Sequence, residues 1–354
     1  VTLALAWLTW RTVEIPARKR LKLTHFKVLS SAIIGCFLIG AIGAVGWSNQ
    51  GITSRNASVF HWLESTRGRS PHRGTCHNPE SPDSACVIGE GGKTPIYIWG
   101  DSHGVEIAWK LSEMTEKVGI PVKQITRNGC QPTIDVRRAG AERCPKFNSQ
   151  TFRYLTEKAA PSIVILIARW PLNTNGSRYD NREGGVEPGG DATLFPMNWQ
   201  GGAEQTRIDE VGRAFRKTLE GLLEADHRVV IVYPVPEVGW HVPEFTARRK
   251  MLGVKSEQPL TTSFEVYRER SANARGYLDA IPGSGDLLRV RPAELLCDTF
   301  IRDRCVAQLP DGRVLYFDDD HPNETGARLI AQAIFNHMVA KWGSPIKPTA
   351  KGEK

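Results

Sequence analysis

The 354-residue sequence is sparse in cysteine and lacks the spacings of the common metal sites. Seven cysteines are too few for a small disulfide-dense scaffold, and 33 glycines with 22 prolines are too few for collagen or a disordered chain. The sequence contains neither a C-x-x-C pair nor an H-E-x-x-H helix, so no metal site is expected. The length suits one or two globular domains with a sizeable core.

Positive charge is concentrated in one short segment near the N-terminus. The formal net charge is +8, and residues 11–27 hold six lysines and arginines against the single acid Glu14, which leaves about +3 for the rest. An evenly basic surface, as in a nucleic-acid-binding domain, is therefore not indicated. We expect no nucleic-acid partner.

An uncharged stretch follows this basic segment. Residues 28–54 carry no formal charge, and residues 28–47 supply the ~20 residues that a transmembrane helix needs. The apolar residues 1–10 are interpreted as the tail of a truncated transmembrane helix. The positive-inside rule then makes residues 11–27 a cytoplasmic basic loop, in contact with the bilayer of the inner (plasma) membrane, and puts the chain beyond about residue 50 outside the cytoplasm. A buried helix of a soluble domain is the alternative for residues 28–47.

Six cysteines beyond the predicted span fall into three local pairs. Short separations favour the disulfides Cys76–Cys86, Cys130–Cys144 and Cys297–Cys305, which form in an oxidising compartment. Cys36 lies within the predicted span and has no obvious partner. Reduced, buried thiols are the alternative.

Beyond residue 94, short apolar runs alternate with amphipathic helical patterns. The predicted strands are residues 95–99, 120–125, 162–168 and 228–235, and the predicted helices are residues 105–118, 148–159, 204–224, 262–281 and 324–339. This order predicts an α/β fold, a three-layer α/β/α sandwich with a parallel sheet, over residues 95–342. Residues 48–94 are predicted to be an extracytoplasmic linker, and residues 343–354 a C-terminal tail.

Two local features carry further expectations. Thr262 and Glu265 are expected to form a capping box at the start of helix 262–281. Residues 171–203 contain seven glycines and show no periodicity. A loop of that length is either functional or poorly ordered. With Trp170, Phe195 and Trp199 near its ends, it is either a lid that binds a sugar acceptor or a disordered insertion.

The sequence Gly100-Asp101-Ser102-His103 joins the first predicted strand to the first long helix. A serine in such a turn lies at the carboxyl edge of the sheet, where open α/β folds place their sites. The nearby helix N-terminus favours developing negative charge. Ser102 is therefore a candidate nucleophile, although serine is also a common N-cap. We interpret His103 as a structural residue.

A second polar sequence, Asp318-Asp319-Asp320-His321, precedes the last predicted helix. Asp318 and His321 are three residues apart and can lie on one side of a single turn. Asp318 then orients His321, whose other ring nitrogen accepts the Ser102 proton. Asp319 and Asp320 are interpreted as solvated or capping residues. Without Ser102, the segment would be read as an acidic turn before an Asn323 N-cap.

Together these two motifs resemble the SGNH/GDSL hydrolase superfamily, and in particular the SGNH domain fused to membrane acyltransferase-3 proteins. Residues 10–18 resemble the W-R-x-V-E-x-P-x-R stretch near the end of that membrane domain, and residues 233–237 and 316–327 also resemble the fused domains. The resemblance implies Ser102 as nucleophile, His321 as base and Asp318 as the acid that orients it.

The same resemblance suggests oxyanion and substrate-binding residues. The Ser102 N–H is one expected donor, and Gly129 matches the glycine of the superfamily's second block, although a plain turn residue is the alternative. Where the third block normally reads G-x-N-D, this chain has Ala168-Arg169-Trp170-Pro171. Arg169 is then either a donor to the oxyanion or acceptor, or the partner of a carboxylate. Trp170 is a candidate acceptor contact.

The implied activity is O-acetylation of an extracytoplasmic bacterial polysaccharide, such as a lipopolysaccharide O-antigen. The acetyl group would come from acetyl-CoA through the acyltransferase-3 membrane domain of the same chain, and this fragment itself is expected to bind no cofactor. Whether Ser102 forms a covalent acetyl-enzyme or only activates the acceptor hydroxyl is left open. The alternatives are an acetyl esterase that uses the same triad and a non-catalytic glycan-binding module.

Overall fold

The computed structural model describes residues 2–15, 25–48, 57–138, 140–252 and 258–343. They fall into two compact units, Val1–Phe60 and His61–Lys354. Of the predicted basic loop and the C-terminal tail, residues 16–24 and 344–354 lie outside the described residues.

The first unit contains the helix α1 (Thr2–Thr9), a π-helical turn (Trp10–Glu14) and the helix α2 (His25–Ser48). The span predicted for residues 28–47 lies within α2. Among the described residues, no helix has both the length and the apolar character that a membrane crossing requires. The predicted span is therefore not confirmed.

The second unit contains ten strands and nine complete α-helices in its described part, and most of a tenth helix, α3, which begins before residue 61. The strands are β1 (Val87–Ile88), β2 (Ile96–Gly100), β3 (Val122–Thr126), β4 (Val136–Arg138), β5 (Ile163–Ile167), β6 (Leu194–Pro196), β7 (Arg228–Val232), β8 (Thr261–Ser263), β9 (Leu287–Val290) and β10 (Arg304–Val306). The helices are α3 (Ala57–Arg67), α4 (Arg73–Cys76), α5 (Gly104–Thr115), α6 (Cys144–Arg153), α7 (Trp170–Asn175), α8 (Glu204–Glu224), α9 (Val242–Met251), α10 (Phe264–Asp279), α11 (Ala293–Leu296) and α12 (Glu324–Trp342).

The central sheet has six strands in the order β1-β3-β2-β5-β7-β9. Five of them are parallel, and β1 pairs with β3 in the antiparallel sense at one edge. The predicted parallel sheet is thus confirmed for five strands, and β1 makes the observed sheet mostly, rather than wholly, parallel. β3 lies on one side of β2, whereas β5, which follows later in the chain, lies on the other side of β2. The strand order therefore reverses between β2 and β5. Open α/β sheets place their ligand sites at the carboxyl ends of strands at such a point.

The strands of this sheet are buried on both faces, which produces the three-layer arrangement. In β5, residues 163, 165 and 167 pack into one core with α5 and α12, whereas residues 164 and 166 pack into a second core with α6, α8 and α10. All five of these residues are buried apolar side chains. A strand covered on both faces reads as a continuous apolar run, which explains why the sequence predicts it so clearly.

Residues 61–94 belong to the same compact unit as the sheet, although the sequence predicts a linker there. β1 extends the sheet, and Trp62 packs against the core. The Asn323 side-chain amide donates a hydrogen bond of 2.9 Å to the Thr66 carbonyl. The observed unit therefore begins earlier than the boundary that we predict at residue 95.

Two local expectations differ from the structure. The cap of α10 is Ser263, whose hydroxyl accepts a hydrogen bond from the Val266 N–H, and Thr262 instead pairs with Cys305 between β8 and β10. The predicted capping box is wrong because a strand engages Thr262. The second difference is that residues 171–203 are not a disordered insertion, since they form α7 and β6, which pairs with β4.

The structure forms all three predicted disulfides, Cys76–Cys86, Cys130–Cys144 and Cys297–Cys305. Cys36 is unpaired and exposed.

Candidate active site

Ser102 lies in the short turn between the end of β2 and the start of α5. Gly100 closes the strand at a point where the chain passes very near β5. A Cβ atom at this position would lie 1.9 Å from the Ile167 carbonyl oxygen, so only glycine fits. Close approach of two strands is thus the reason for this glycine.

Asp101 holds the turn in place. One of its carboxylate oxygens accepts a hydrogen bond of 3.0 Å from the His103 N–H, and the other accepts one of 2.8 Å from the Arg169 N–H. The first bond braces the turn from within, and the second ties it to the residue that follows β5. Asp101 therefore fixes the Ser102 backbone at the point where the strand order reverses.

Ser102, His321 and Asp318 come together although more than 200 residues separate the first from the others. The Ser102 hydroxyl lies 2.8 Å from His321 Nε2, and His321 Nδ1 lies 2.9 Å from Asp318 Oδ2. Asp318 Oδ1 also accepts a hydrogen bond of 2.8 Å from the His321 N–H. The carboxylate thus orients both the backbone and the ring of His321, and the arrangement is that of a Ser-His-Asp triad.

A second carboxylate, Asp320, also contacts His321. Asp320 Oδ1 lies 2.9 Å from His321 Nδ1, and its other oxygen lies 2.8 Å from His103 Nε2 and 2.9 Å from Arg169 Nε. Its side chain is almost wholly buried. The interpretation of Asp320 as a solvated or capping residue is wrong, because its carboxylate is paired with the Arg169 guanidinium and contacts the rings of His103 and His321. His103 has the structural role that we expect for it.

Arg169 is paired with carboxylates. Its guanidinium contacts Glu237 at 2.7 Å and Glu187 at 2.5 Å, in addition to Asp320. Burial opposes its charge, but these three carboxylates outweigh burial and raise the pKa of Arg169 well above its usual value. Of the two roles predicted for Arg169, the contacts are those of carboxylate pairing.

Trp170 does not face the site. Its side chain is fully buried, and its indole N–H donates a hydrogen bond of 2.7 Å to the Val232 carbonyl. The ring packs edge-on against Phe215. The prediction that Trp170 contacts an acceptor is therefore wrong, since the residue belongs to the core between β7 and α8.

Two backbone N–H groups are placed to receive a developing oxyanion. Within the described part of the chain, neither the Ser102 N–H nor the Gly129 N–H donates a hydrogen bond to another protein group. Gly129 lines the same cleft as Ser102 and has φ +67°, a conformation that favours glycine. These features fit the oxyanion role that the resemblance implies for both residues.

The triad opens into a polar cleft of about 760 Å³. Residues 171–203 contribute Leu172, Asn173, Arg178 and Glu187 to its lining, whereas the aromatic residues near the ends of that segment are not among the lining residues. Asp319 lies in the same cleft, where burial, and then the charges of Asp320 and Asp318, raise its pKa to about 7. Five arginines also line the cleft: Arg127, Arg138, Arg143, Arg169 and Arg178.

Two groups of side chains near the triad bring potential metal ligands within 4.8 Å of one another: His103 with Asp320 and His321, and Asp318 with Asp319 and Asp320. The ring nitrogens and carboxylate oxygens of the first group already meet at hydrogen-bonding distances of 2.8 to 2.9 Å. This group is therefore a hydrogen-bonded network.

Arg73, at the start of α4, contacts the backbone of the nucleophile Ser102. Its guanidinium donates hydrogen bonds to the Glu106 carboxylate at 2.7 and 2.6 Å and to the Ser102 carbonyl at 3.2 Å. Arg73 also lies over the ring of Phe317, which stacks on His321. One arginine thus braces both the serine turn and the histidine.

We expect activity to fall as the pH is lowered, because of the environment of His321. Burial opposes a charged ring, but Asp320 and Asp318 outweigh burial, so the pKa of His321 lies well above 6.5. Only the neutral ring accepts a proton, and therefore kcat/KM for acetyl-ester hydrolysis should rise with pH through that pKa. In Asp320→Asn one of the two charges is lost, so the acid limb should move to lower pH. An acid limb that stays in place would contradict the conclusion that the charge of Asp320 raises the pKa of His321.

The comparisons with known proteins agree with this architecture. The family model for the SGNH domain that is fused to AT3 domains matches residues 75–335. A search of curated proteins finds no significant match to the sequence. The periplasmic domain of a lipopolysaccharide acetyltransferase from Salmonella ser. Paratyphi A is similar in structure, with 16% identity, a TM-score of 0.51, and coverage of 82% of this chain and 99% of that chain.

A second match among solved structures is the C-terminal catalytic domain of peptidoglycan O-acetyltransferase A from Streptococcus pneumoniae. It has 11% identity, a TM-score of 0.31, and coverage of 74% of this chain and 99% of that chain. The Salmonella structure shows the shared fold, and the family model covers most of the chain. The chain therefore belongs to the family of SGNH domains fused to AT3 domains.

Proposed function

We propose that this chain transfers an acetyl group to a hydroxyl of an extracytoplasmic bacterial polysaccharide. The observation that carries the proposal is the contact of 2.8 Å between the Ser102 hydroxyl and His321 Nε2, with Asp318 on the other ring nitrogen. Membership of a family whose SGNH domains are fused to AT3 domains supports acetyl transfer as the reaction. The Salmonella acetyltransferase domain, which shares the fold, is described as periplasmic.

In the proposed mechanism, Ser102 carries the acetyl group between donor and acceptor. His321 Nε2 takes the Ser102 proton as Oγ attacks the acetyl carbonyl carbon, and the N–H groups of Ser102 and Gly129 donate to the oxyanion. The leaving group departs with the proton from His321. A glycan hydroxyl then attacks the acetyl-serine, again with His321 as base, and the Ser102 oxygen leaves and regains its proton.

In this proposal, the acetyl group that Ser102 receives originates on the other side of the membrane. We place the ultimate acetyl donor, acetyl-CoA, in the cytoplasm, with transfer through an acyltransferase-3 membrane domain of the same chain. The uncharged residues 28–54 and the exposed apolar side chains of α2, among them Phe37 and Ile39, support a position of that segment at the lipid bilayer.

The test compares the O-acetyl content of surface polysaccharide in cells that express the protein or its Ser102→Ala variant at matched levels. We expect O-acetyl groups to disappear in the variant, because alanine offers no oxygen to accept the acetyl group. Nuclear magnetic resonance of the isolated polysaccharide measures the acetate ester directly.

Ser84→Ala is the matched control, since Ser84 is exposed and, among the described residues, its side chain bonds only to the nearby Ser81. It should leave the O-acetyl content unchanged. A rise in O-acetyl content in Ser102→Ala would identify the domain as a deacetylase. An unchanged content would show that Ser102 is not the nucleophile.

A further inference from the structure

Three arginines that line the cleft have no carboxylate partner among the residues that the structure describes. Arg127, Arg138 and Arg143 all line the cleft beside Ser102, and we call them the arginine wall. Across the described ranges of the chain, none of the three lies within ion-pair distance of an aspartate or glutamate. The other two arginines of the cleft differ in this respect, because both Arg169 and Arg178 contact Glu187, at 2.9 and 2.7 Å.

Two members of the arginine wall are oriented by neutral groups. Arg127 donates a hydrogen bond of 2.7 Å to the Pro79 carbonyl, and Arg138 donates to the carbonyls of Ala192 and Gly129 at 3.0 and 3.1 Å. Carbonyl oxygens fix the direction of a guanidinium without neutralising it. Burial lowers the pKa of Arg138, and the charge of Asp101 offsets only part of that effect.

Three acids near the arginine wall are engaged elsewhere, and one of them, Asp191, accepts hydrogen bonds from the Thr193 N–H and hydroxyl. Asp101 accepts hydrogen bonds from the backbone N–H groups of His103 and Arg169, and Glu142 accepts one of 3.0 Å from the Gly140 N–H. The cleft therefore holds positive charge on one side that its own carboxylates do not pair.

Arg138 also contacts the backbone of Gly129. A Cβ atom on Gly129 would be 2.0 Å from Arg138 Nη1, so the guanidinium passes directly beside one of the two expected oxyanion donors. A group bound by Arg138 would therefore sit next to the acetyl-transfer position. This proximity makes the arginine wall a determinant of which acceptor places its hydroxyl at Ser102.

We propose that the acceptor is an acidic glycan, and that a carboxylate or phosphate group of this glycan binds the arginine wall. The proposal rests on the acetyl-transfer function described above. The planar fork of a guanidinium matches both anions, and two or more guanidiniums together select for a charged group. A neutral sugar would leave the partly buried cation of Arg138 without a counter-charge, which disfavours its binding.

The experiment measures the initial rate of polysaccharide O-acetylation after induction in cells that express the protein, Arg138→Gln, or Arg138→Gln/Arg143→Gln. We expect the rate to fall about tenfold or more in Arg138→Gln and further in the double variant, because a charge-assisted contact with the acceptor is lost. The matched control is Arg302→Gln, since Arg302 is highly exposed and is not one of the cleft-lining residues.

Nuclear magnetic resonance of the acetylated repeat unit identifies the anion. A uronic-acid carboxylate or a phosphate on the acetylated sugar or its neighbour supports the proposal, and the spectrum distinguishes the two. A repeat unit without an acidic group overturns it. If Ser102→Ala abolishes acetylation of such a neutral glycan, the inference about the acceptor fails while the proposed function stands. If Ser102→Ala changes nothing, both fail.

Hydrolysis of p-nitrophenyl acetate by the purified protein separates acceptor binding from a general effect on the site. This small ester carries no charge, so its hydrolysis should fall much less in Arg138→Gln than glycan acetylation does. Equal losses in the two assays would mean that Arg138 acts on the oxyanion or on the fold, and would overturn the proposal.

Discussion

Replacing His321 with alanine is expected to lower kcat for hydrolysis of p-nitrophenyl acetate by on the order of 10⁴-fold or more. The serine hydroxyl is a poor nucleophile at neutral pH, and Nε2 is the base that lies 2.8 Å from it. The variant also loses the ring that Asp318 and Asp320 orient. Steady-state hydrolysis by the purified protein, corrected for the spontaneous rate, measures the effect.

His337→Ala is the control for this loss, because His337 is exposed on α12. It should retain full activity. The double variant Ser102→Ala/His321→Ala should be no slower than either single variant, since the two side chains act as one unit. Additive losses would contradict the assigned triad, as would a His321→Ala enzyme that retains more than a few per cent of the activity.

Replacing Arg169 with methionine is expected to lower the free energy of unfolding by about 3–5 kcal/mol. Arg169 is a buried counter-ion shared by Glu187, Glu237 and Asp320. Methionine is of similar length, but it leaves these buried carboxylates with less positive charge around them. Urea unfolding followed by tryptophan fluorescence measures the change.

A surface ion pair provides the comparison. Arg182 contacts Glu269 at 2.6 Å, but the two side chains are 63% and 50% exposed. Arg182→Met should therefore cost less than about 1 kcal/mol. If the two variants lost equal stability, the buried network around Arg169 would not be the stabilising feature that its contacts indicate.

The elements of the fold whose own sequence shows a local pattern could be predicted from the sequence. β5 and β7 are continuous apolar runs, and the helices that cover them show helical periodicity, so their order predicts a parallel sheet. Ser102 and His321 were identifiable because each lies in a short motif at the end of an element. The i, i+3 spacing of Asp318 and His321 is itself a local relation, and the structure uses it directly.

The remaining features depend on contacts between distant segments. Three consecutive aspartates precede His321, and nothing in that local pattern shows that Asp320 turns inward to meet His103 and Arg169. Residues 171–203 show no periodicity because their order comes from pairing with β4 and from the contact of Glu187 with Arg169. Trp170 looks like a sugar platform in sequence, but the core between two layers buries it.

The disulfide Cys130–Cys144 has a consequence for where the protein can recognise its acceptor. The loop that this bond closes contains Arg138 and Arg143, whereas Ser102, Asp318 and His321 all lie outside it. Thiols pair in oxidising compartments and stay reduced in the cytosol. A copy folded under reducing conditions would keep its three reacting residues but lack the covalent closure of the loop that presents these two cations. Substrate choice would then become dependent on the compartment, while the capacity for ester chemistry would not.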